Sequence, residues 1–353
     1  QILYSIYKEA GSWSKPEMLY NGANGSVKGL QAAMMSDGTA IAVYTLDRTG
    51  ASNGSGQEIG YTLVDENGSL GNSMLVTSDD YLDENPQVAA LSLHLTEGTS
   101  EQRFILGWHS QHDGVSDVQL LAVDENGTMT NTFPASLSAL TSSGQANIGG
   151  DFRLARVWDS STTGSGYMDD LTILWSETVS DETTGGLMTA AHSELKAARL
   201  LAEDTDSDYV VDDFVLTSPQ MVAELPDNTL LDHFDAYVET SYANNSRHPI
   251  KAVIQATYYD QNNPETIDNV RLPGEQTKLF TASHNFEPYG IEVEAIGVDY
   301  ENLMANSLTP IQFTVRNTGV NELKNLTITL GGKAATLDGA IQPNESATLT
   351  VYH

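Results

Sequence analysis

The sequence predicts an all-β protein whose larger part is a β-propeller of four-stranded blades, as a partial or incomplete ring. Three observations lead there. First, Leu63-Val64-Asp65-Glu66-Asn67-Gly68-Ser69-Leu70 and Ala122-Val123-Asp124-Glu125-Asn126-Gly127-Thr128-Met129 are near copies, and self-similarity at a fixed spacing marks a repeat architecture. Second, each copy is an apolar run entering a polar, Gly-closed turn, which is hairpin chemistry. Third, an aromatic ends the second strand of three successive units, at Tyr44, Trp108 and Trp175. A large ring at a repeated strand position fills the wedge between sheets that fan about an axis.

Along the chain, Ile2-Leu3-Tyr4-Ser5-Ile6 aligns with Ile59-Gly60-Tyr61-Thr62-Leu63, and Gly11-Ser12-Trp13 with Gly68-Ser69-Leu70. Residues 1–20 therefore supply the outer two strands of a blade. The first full blade, residues 21–80, places strands at 27–36, 39–46, 58–64 and 73–77, with Asp37-Gly38 turning the first pair and residues 65–69 the last. Residues 81–145 repeat the pattern at 87–95, 103–110, 116–123 and 132–137, and residues 146–220 at 147–158, 170–176, 194–202 and 212–217. A looser fourth unit, residues 221–288, spans 221–239, 250–259 and 276–285. Strands with alternating or wholly apolar faces suit sheets buried on both sides. Sandwich domains of the immunoglobulin type would repeat at about 100 residues, and β-helix coils at much shorter periods. Half a blade, four fuller blades and no initiator Met make this chain, in expectation, a fragment of a larger propeller protein, because ring closure takes about 4–8 blades.

The register changes after Tyr289-Gly290. Strands are expected at 291–296, at Ile311-Gln312-Phe313-Thr314-Val315-Arg316-Asn317-Thr318-Gly319, at 326–330, and at 341–351 through Pro343-Asn344-Glu345-Ser346. Residues 289–353 resemble the bacterial immunoglobulin-like modules of the cell-adhesion-related (CARDB) type, in which an Asn-x-Gly turn follows the second strand and a Pro-Gly/Asn-x-Ser turn precedes a late one. The resemblance implies a truncated immunoglobulin-like β-sandwich, and a missing last strand would leave an unpaired edge. More loosely, Gly11-Ser12-Trp13-Ser14-Lys15-Pro16 is similar to an outer-strand phrase in the repeats of large secreted bacterial surface proteins. That similarity implies an extracellular, multi-module protein and no particular reaction.

The 353 residues suffice for two domains with sizeable cores. A net charge of −32, from 48 Asp and Glu against 16 Lys and Arg, argues against nucleic acid and anionic membranes as partners. It favours solubility and loose cation binding, and a halophilic origin would also account for it. The absence of Cys excludes disulfides and zinc–thiolate sites. No apolar run approaches the roughly 18 residues of a membrane-spanning helix. The Asn-x-Ser/Thr triplets at Asn67, Asn126, Asn244 and Asn325 read as turns.

Asp204, Asp206 and Asp208, followed by Asp212, form the densest acidic cluster. Alternating carboxylates on a turn can converge on one hard cation, which makes calcium the candidate metal; no cofactor is otherwise required. Tyr209 stands where an EF-hand wants Gly and Val215 where it wants Glu, so the segment is not an EF-hand, and a solvated acidic turn is its plain alternative. The two Asp-Glu-Asn-Gly turns sit where sialidase propellers carry their Asp boxes. Their Asp-to-Gly spacing is one residue too long and no Trp follows.

The ligand face of a propeller is usually built by loops from second to third strand and from blade to blade. Here these are 47–57, 78–86, 111–115, 177–186 and 243–249. They make Arg48, His109, His112, Asp113 and His248 candidate ligand-binding residues: a His-x-x-His-Asp run can bind metal or serve as an acid/base pair, and polar loop histidines can equally be solvated. Trp13 can stack on a sugar or pack between blades. No pair among the 48 acids is singled out for glycoside hydrolysis, and no catalytic residue is assigned.

The expected function is a non-catalytic segment of a secreted or cell-surface bacterial protein, a monomeric module of a larger chain, serving adhesion, spacing, or binding of glycan or host cell-surface protein. The alternative is part of a polysaccharide-degrading hydrolase or lyase on a propeller scaffold. Converging acids beside exposed aromatics at the channel mouth would favour the enzyme; scattered Ser, Thr and Asn would favour the binder.

Overall fold

The computed structural model describes the chain except for residues 9–10, 23–24, 49–55, 97–98, 131–136, 138–147, 160–167, 180–190, 204–210, 212, 239–248, 268–269, 287–289 and 299–307. Among the described residues the regular elements are strands, and no helix is long and apolar enough to cross a membrane.

Three antiparallel meanders follow one another. The first consists of Ser26–Met34, Ala40–Asp47, Gln57–Val64 and Met74–Leu75. The second has Leu82–Thr96, Thr99–His112 and Val115–Asp124, with Met129–Thr130 on its edge. The third has Ile148–Asp159, Met168–Val179 and His192–Glu203, the last lined by Asp213–Leu216 and then Gln220–Glu224. Single bridges at Gln57–Leu82 and Met168–Leu93 join the three. A fourth sheet has three strands, Thr229–Val238, Ile250–Ile267 and Val270–His284.

Two expectations change in detail. The 221–239 stretch is two strands, the first of which, Gln220–Glu224, completes the third sheet by pairing with Glu194–Ala197. Met129–Thr130 is the base of the preceding turn, since Val123–Met129 repeats the Val64–Leu70 bridge. The expected fourth strand of that unit, 132–137, lies outside the described residues apart from the buried Leu137.

The repeated turn shows why its sequence recurs. The Asp65 carboxylate accepts the Asn67 and Ser69 amides at 2.9 and 2.7 Å, and Asp124 accepts those of Asn126 and Thr128 at the same distances. Gly68 and Gly127 both take φ +84°, the left-handed conformation that closes such a hairpin. The Ser69 amide foremost, helped by the Asn67 amide, holds the Asp65 carboxyl below its ordinary value against the opposing effect of desolvation. In the N-terminal segment, Ile2–Tyr4 pairs with Glu17–Tyr20 so that Tyr4 faces Glu17 and Leu3 faces Met18. The first sheet has the same register, with Tyr61 facing Met74 and Gly60 facing Leu75.

Side-chain alternation decides the packing. In the second strand of the first sheet, Ile41 and Val43 pack toward the second sheet while Ala42, Tyr44 and Leu46 pack on Ile2, Leu19 and Tyr20. In the second sheet Phe104, Leu106 and Trp108 face the first, and Ile105 faces Phe152, Ile173 and Trp175 of the third. Leu174 in turn faces Phe234, Ile250 and Ile254 of the fourth. Each of the first three sheets is thus apolar on both faces and sandwiched by its neighbours in chain order, whereas the fourth buries one face and leaves Tyr237, Val253 and Leu279 exposed on the other. Tyr44, Trp108 and Trp175 are all buried, and each points toward the preceding sheet.

The C-terminal residues form a smaller two-layer body. The sheet of Ile291–Val298, Pro310–Asn317 and Ser346–Tyr352 packs Val315, Ala347 and Leu349 against Ile328 and Ala335 of the Thr327–Leu330/Lys333–Thr336 hairpin. The fully buried Asn317 amide donates to the carbonyls of Asn321 and Ile341 at 2.8 and 3.0 Å, and its oxygen accepts the Gly319 amide at 3.0 Å. Val320 joins the core of the fourth sheet beside Phe234 and Phe286.

Candidate functional site

The register between the first two sheets creates a polar cleft. The parallel bridge Gln57–Leu82 places Glu58, next along its strand, beside Asp83, next along its own. Met74–Leu75 ends just before, and the chain reaches Leu82–Thr96, the first strand of the second sheet, through Val76–Tyr81, which brings Asp79 over the same spot. One carboxylate oxygen from each of Glu58, Asp79 and Asp83 lies within 4.8 Å of the other two. Above them opens a cleft of about 720 Å³ lined by Arg48, Glu58, Ser78, Asp79, Asp80, Tyr81 and His112.

The three acids differ sharply in environment. Asp79 is exposed and accepts the Tyr81 amide at 2.9 Å. Glu58 is 3% exposed and accepts the Thr77 hydroxyl at 2.9 Å, which itself accepts the Ile59 amide at 2.9 Å. Asp83 is 1% exposed, and neither of its oxygens closes a hydrogen bond, although the Ser110 and Thr77 hydroxyls stand close enough to soften its electrostatics. Burial raises the Asp83 pKa above its ordinary value, and the charges of Asp79 and Glu58 push it the same way. Among the described residues no Lys, Arg or His forms an ion pair with any of the three.

The rim carries two of the residues that sequence reasoning selected. Arg48 and His112 come from the 47–57 and 111–115 segments and both line the cleft, together with the 78–86 connection. The His112 ring stacks on Tyr81 with centroids 4.1 Å apart and planes 25° from parallel. Its Nε2 lies 3.2 Å from Asp113.

Asp113 and His109 play other parts than expected. Asp113 and Gly114 have φ of +49° and +81° and form a two-residue hairpin turn between His112 and Val115, which pair across it. Asp113 is a turn residue with an exposed side chain. His109 is on the strand, not in a loop: it follows the Ile105 face of Thr99–His112 and is 5% exposed. Its Nε2 shares a 2.5 Å hydrogen bond with Ser116, whose hydroxyl donates to the Ile148 carbonyl. Nδ1 faces Glu84 at 3.6 Å, and this contact holds the Glu84 carboxyl below its usual range. His109 therefore ties the second sheet to the third and does not reach the cleft. His248, Asp204, Asp206, Asp208 and Asp212 lie outside the described residues. Trp13 is 68% exposed and meets Tyr7 edge-on at 5.2 Å, so it is not packed between sheets.

Sequence reasoning passed over Glu58, Asp79, Asp83 and Tyr81. The available signal was Glu58 itself, the one charge in a mostly buried strand, together with the Asp79-Asp80 pair where the chain crosses between repeats.

No protein-family model matches the chain, and a search of curated proteins finds no match either.

Proposed function

We propose that this chain is a non-catalytic, extracellular binding segment, in which a β-propeller and a CARDB-like immunoglobulin-like module serve adhesion or spacing, and that the cleft between the first two sheets takes a glycan. The repeated sheet-to-sheet packing supports the propeller: one step relates the N-terminal strands to the first sheet and the first sheet to the second. The first strands of successive sheets also lie beside one another, as blades converging on an axis would place them. The observation that carries the binding assignment is the stacked Tyr81–His112 pair on the rim, beside Arg48. A ring face flanked by hydrogen-bonding groups suits the apolar face and hydroxyl edge of a sugar.

The converging acids give a polysaccharide-degrading enzyme its one specific point of support. Against it, Glu58 and Asp83 are 3% and 1% exposed, so a glycosidic oxygen cannot pass between them as a hydrolytic carboxylate pair requires.

Binding of the purified chain to immobilised bacterial and host polysaccharides tests the proposal. Retention on at least one, weakened in Tyr81→Ala and His112→Ala and without release of reducing ends, is the expected result. Absence of retention on every polysaccharide would overturn the glycan assignment, and steady release of reducing ends would overturn the non-catalytic one.

A further inference from the structure

We propose that Glu58, Asp79 and Asp83 form a binding site for a hard divalent cation, with calcium as the best match. Calcium binds oxygen at about 2.3–2.6 Å, so two oxygens sharing one ion lie at most about 5 Å apart. The three carboxylate oxygens already lie within 4.8 Å of one another. Magnesium, at about 2.0–2.1 Å, demands near-ideal octahedral geometry and keeps several waters, whereas calcium accepts irregular sets of carboxylate oxygens such as one drawn from three separate chain positions. All three donors are carboxylate oxygen, with neither imidazole nor sulfur among them, which selects a hard ion over zinc or copper.

The second, independent observation is Asp83 itself. It is 1% exposed, its oxygens accept no hydrogen bond, and it points into a cluster with two further carboxylates. A buried anion without a partner is strongly disfavoured, and its nearest charged neighbours are also negative. Arg48, the cation on the cleft wall, is exposed and pairs with none of the three. A divalent ion supplies the missing positive charge. Asp79, exposed at the cleft floor, provides the way in, and water fills the remaining roughly three to five positions of a calcium shell.

Bound there, the ion would join Glu58 of the first sheet to Asp83 of the second through the connection that carries Asp79. The assignment stands apart from the glycan reading, because it needs only these three side chains.

Calorimetric titration of calcium chloride into chelator-stripped protein, paired with thermal melts in chelator and in calcium, tests it. One site per chain and a higher melting temperature in calcium are expected, with both lost in Asp79→Asn and in Asp83→Asn. In chelator, Asp83→Asn should melt above the wild type, because the uncompensated buried charge is gone. Asp79 is exposed, so its variant folds and keeps the test decisive even if the Asp83 variant does not. Absence of binding heat with an unchanged melt would overturn the site, as would wild-type calcium binding by Asp79→Asn.

Discussion

The Tyr61 phenol donates to the Gly127 carbonyl at 2.9 Å, and one repeat upstream the Tyr4 phenol donates to the Gly68 carbonyl at 2.9 Å. The same step governs the apolar contacts: Ile6 lies against Gly68 as Leu63 lies against Gly127. A tyrosine on the third strand of one unit thus latches the hairpin of the next, twice, with the same geometry. In the second sheet the position equivalent to Tyr61 is Leu120, which has no hydroxyl, so the latch belongs to the first two steps.

Tyr61→Phe removes the latch and keeps the ring. The expected loss is about 1 kcal/mol of unfolding free energy, read from urea denaturation at constant m-value. Gly127→Ala should cost about 1 to 3 kcal/mol, because the alanine would hold a left-handed backbone and its Cβ would sit 2.9 Å from Leu63 Cδ1. Equal stability of Tyr61→Phe and wild type would show that the latch contributes nothing.

Lys196 carries the best-defined pH effect. Its ammonium lies 2.6 Å from Glu177 and 3.0 Å from Glu194, and Glu177 also accepts the Trp175 indole N–H at 2.7 Å. Burial alone would lower the Lys196 pKa, but the two carboxylates outweigh it and the net value is raised. A raised cationic pKa stabilises the fold at every pH below the unfolded value, and that stability disappears as pH rises through the folded value. At neutral pH, Lys196→Met should cost about 2 to 3 kcal/mol. That is below the range for fully buried pairs, because Lys196 keeps a fifth of its side chain exposed. Wild-type denaturation should show an alkaline slope as pH rises through the raised Lys196 value; the variant should lack it, and Lys196→Met/Glu177→Gln should regain part of the loss at pH 7.

Asn317 holds the C-terminal body. All three of its side-chain hydrogen bonds are to backbone, and the residue is fully buried. Asn317→Ala leaves two carbonyls and one amide without partners, for an expected loss of about 2 to 3 kcal/mol. Leu349→Ala, which creates a cavity in the same small core, should cost about 2 to 5 kcal/mol. If the two bodies unfold independently, only the transition belonging to residues 291–353 should move in a calorimetric scan.

The strands were legible because alternation is local: the apolar runs of Ala40–Asp47 and Met168–Val179 announce two buried faces. The repeat alignment of Tyr4 with Tyr61 carried further, to a matching register and a matching latch. The acidic cleft was not legible, because Glu58, Asp79 and Asp83 meet only through the Gln57–Leu82 pairing, a contact between different units. His109 was misplaced for a different reason. The His-x-x-His-Asp run grouped His109 with the 111–115 loop although it falls inside the expected strand at 103–110, and the Asp113-Gly114 turn between His112 and Val115 keeps it there. What local pattern encodes was readable; what tertiary register assembles was not.

Because the second strand of each central sheet presents oil to both sides, none of these sheets can be excised and remain in solution alone. Cutting the chain between Val76 and Leu82 would strip one greasy wall from each product, and both would be expected to clump or to re-associate. Shuffling such a unit into another protein would require a neighbour on either flank, which makes the functional quantum of this architecture the interface and not the sheet.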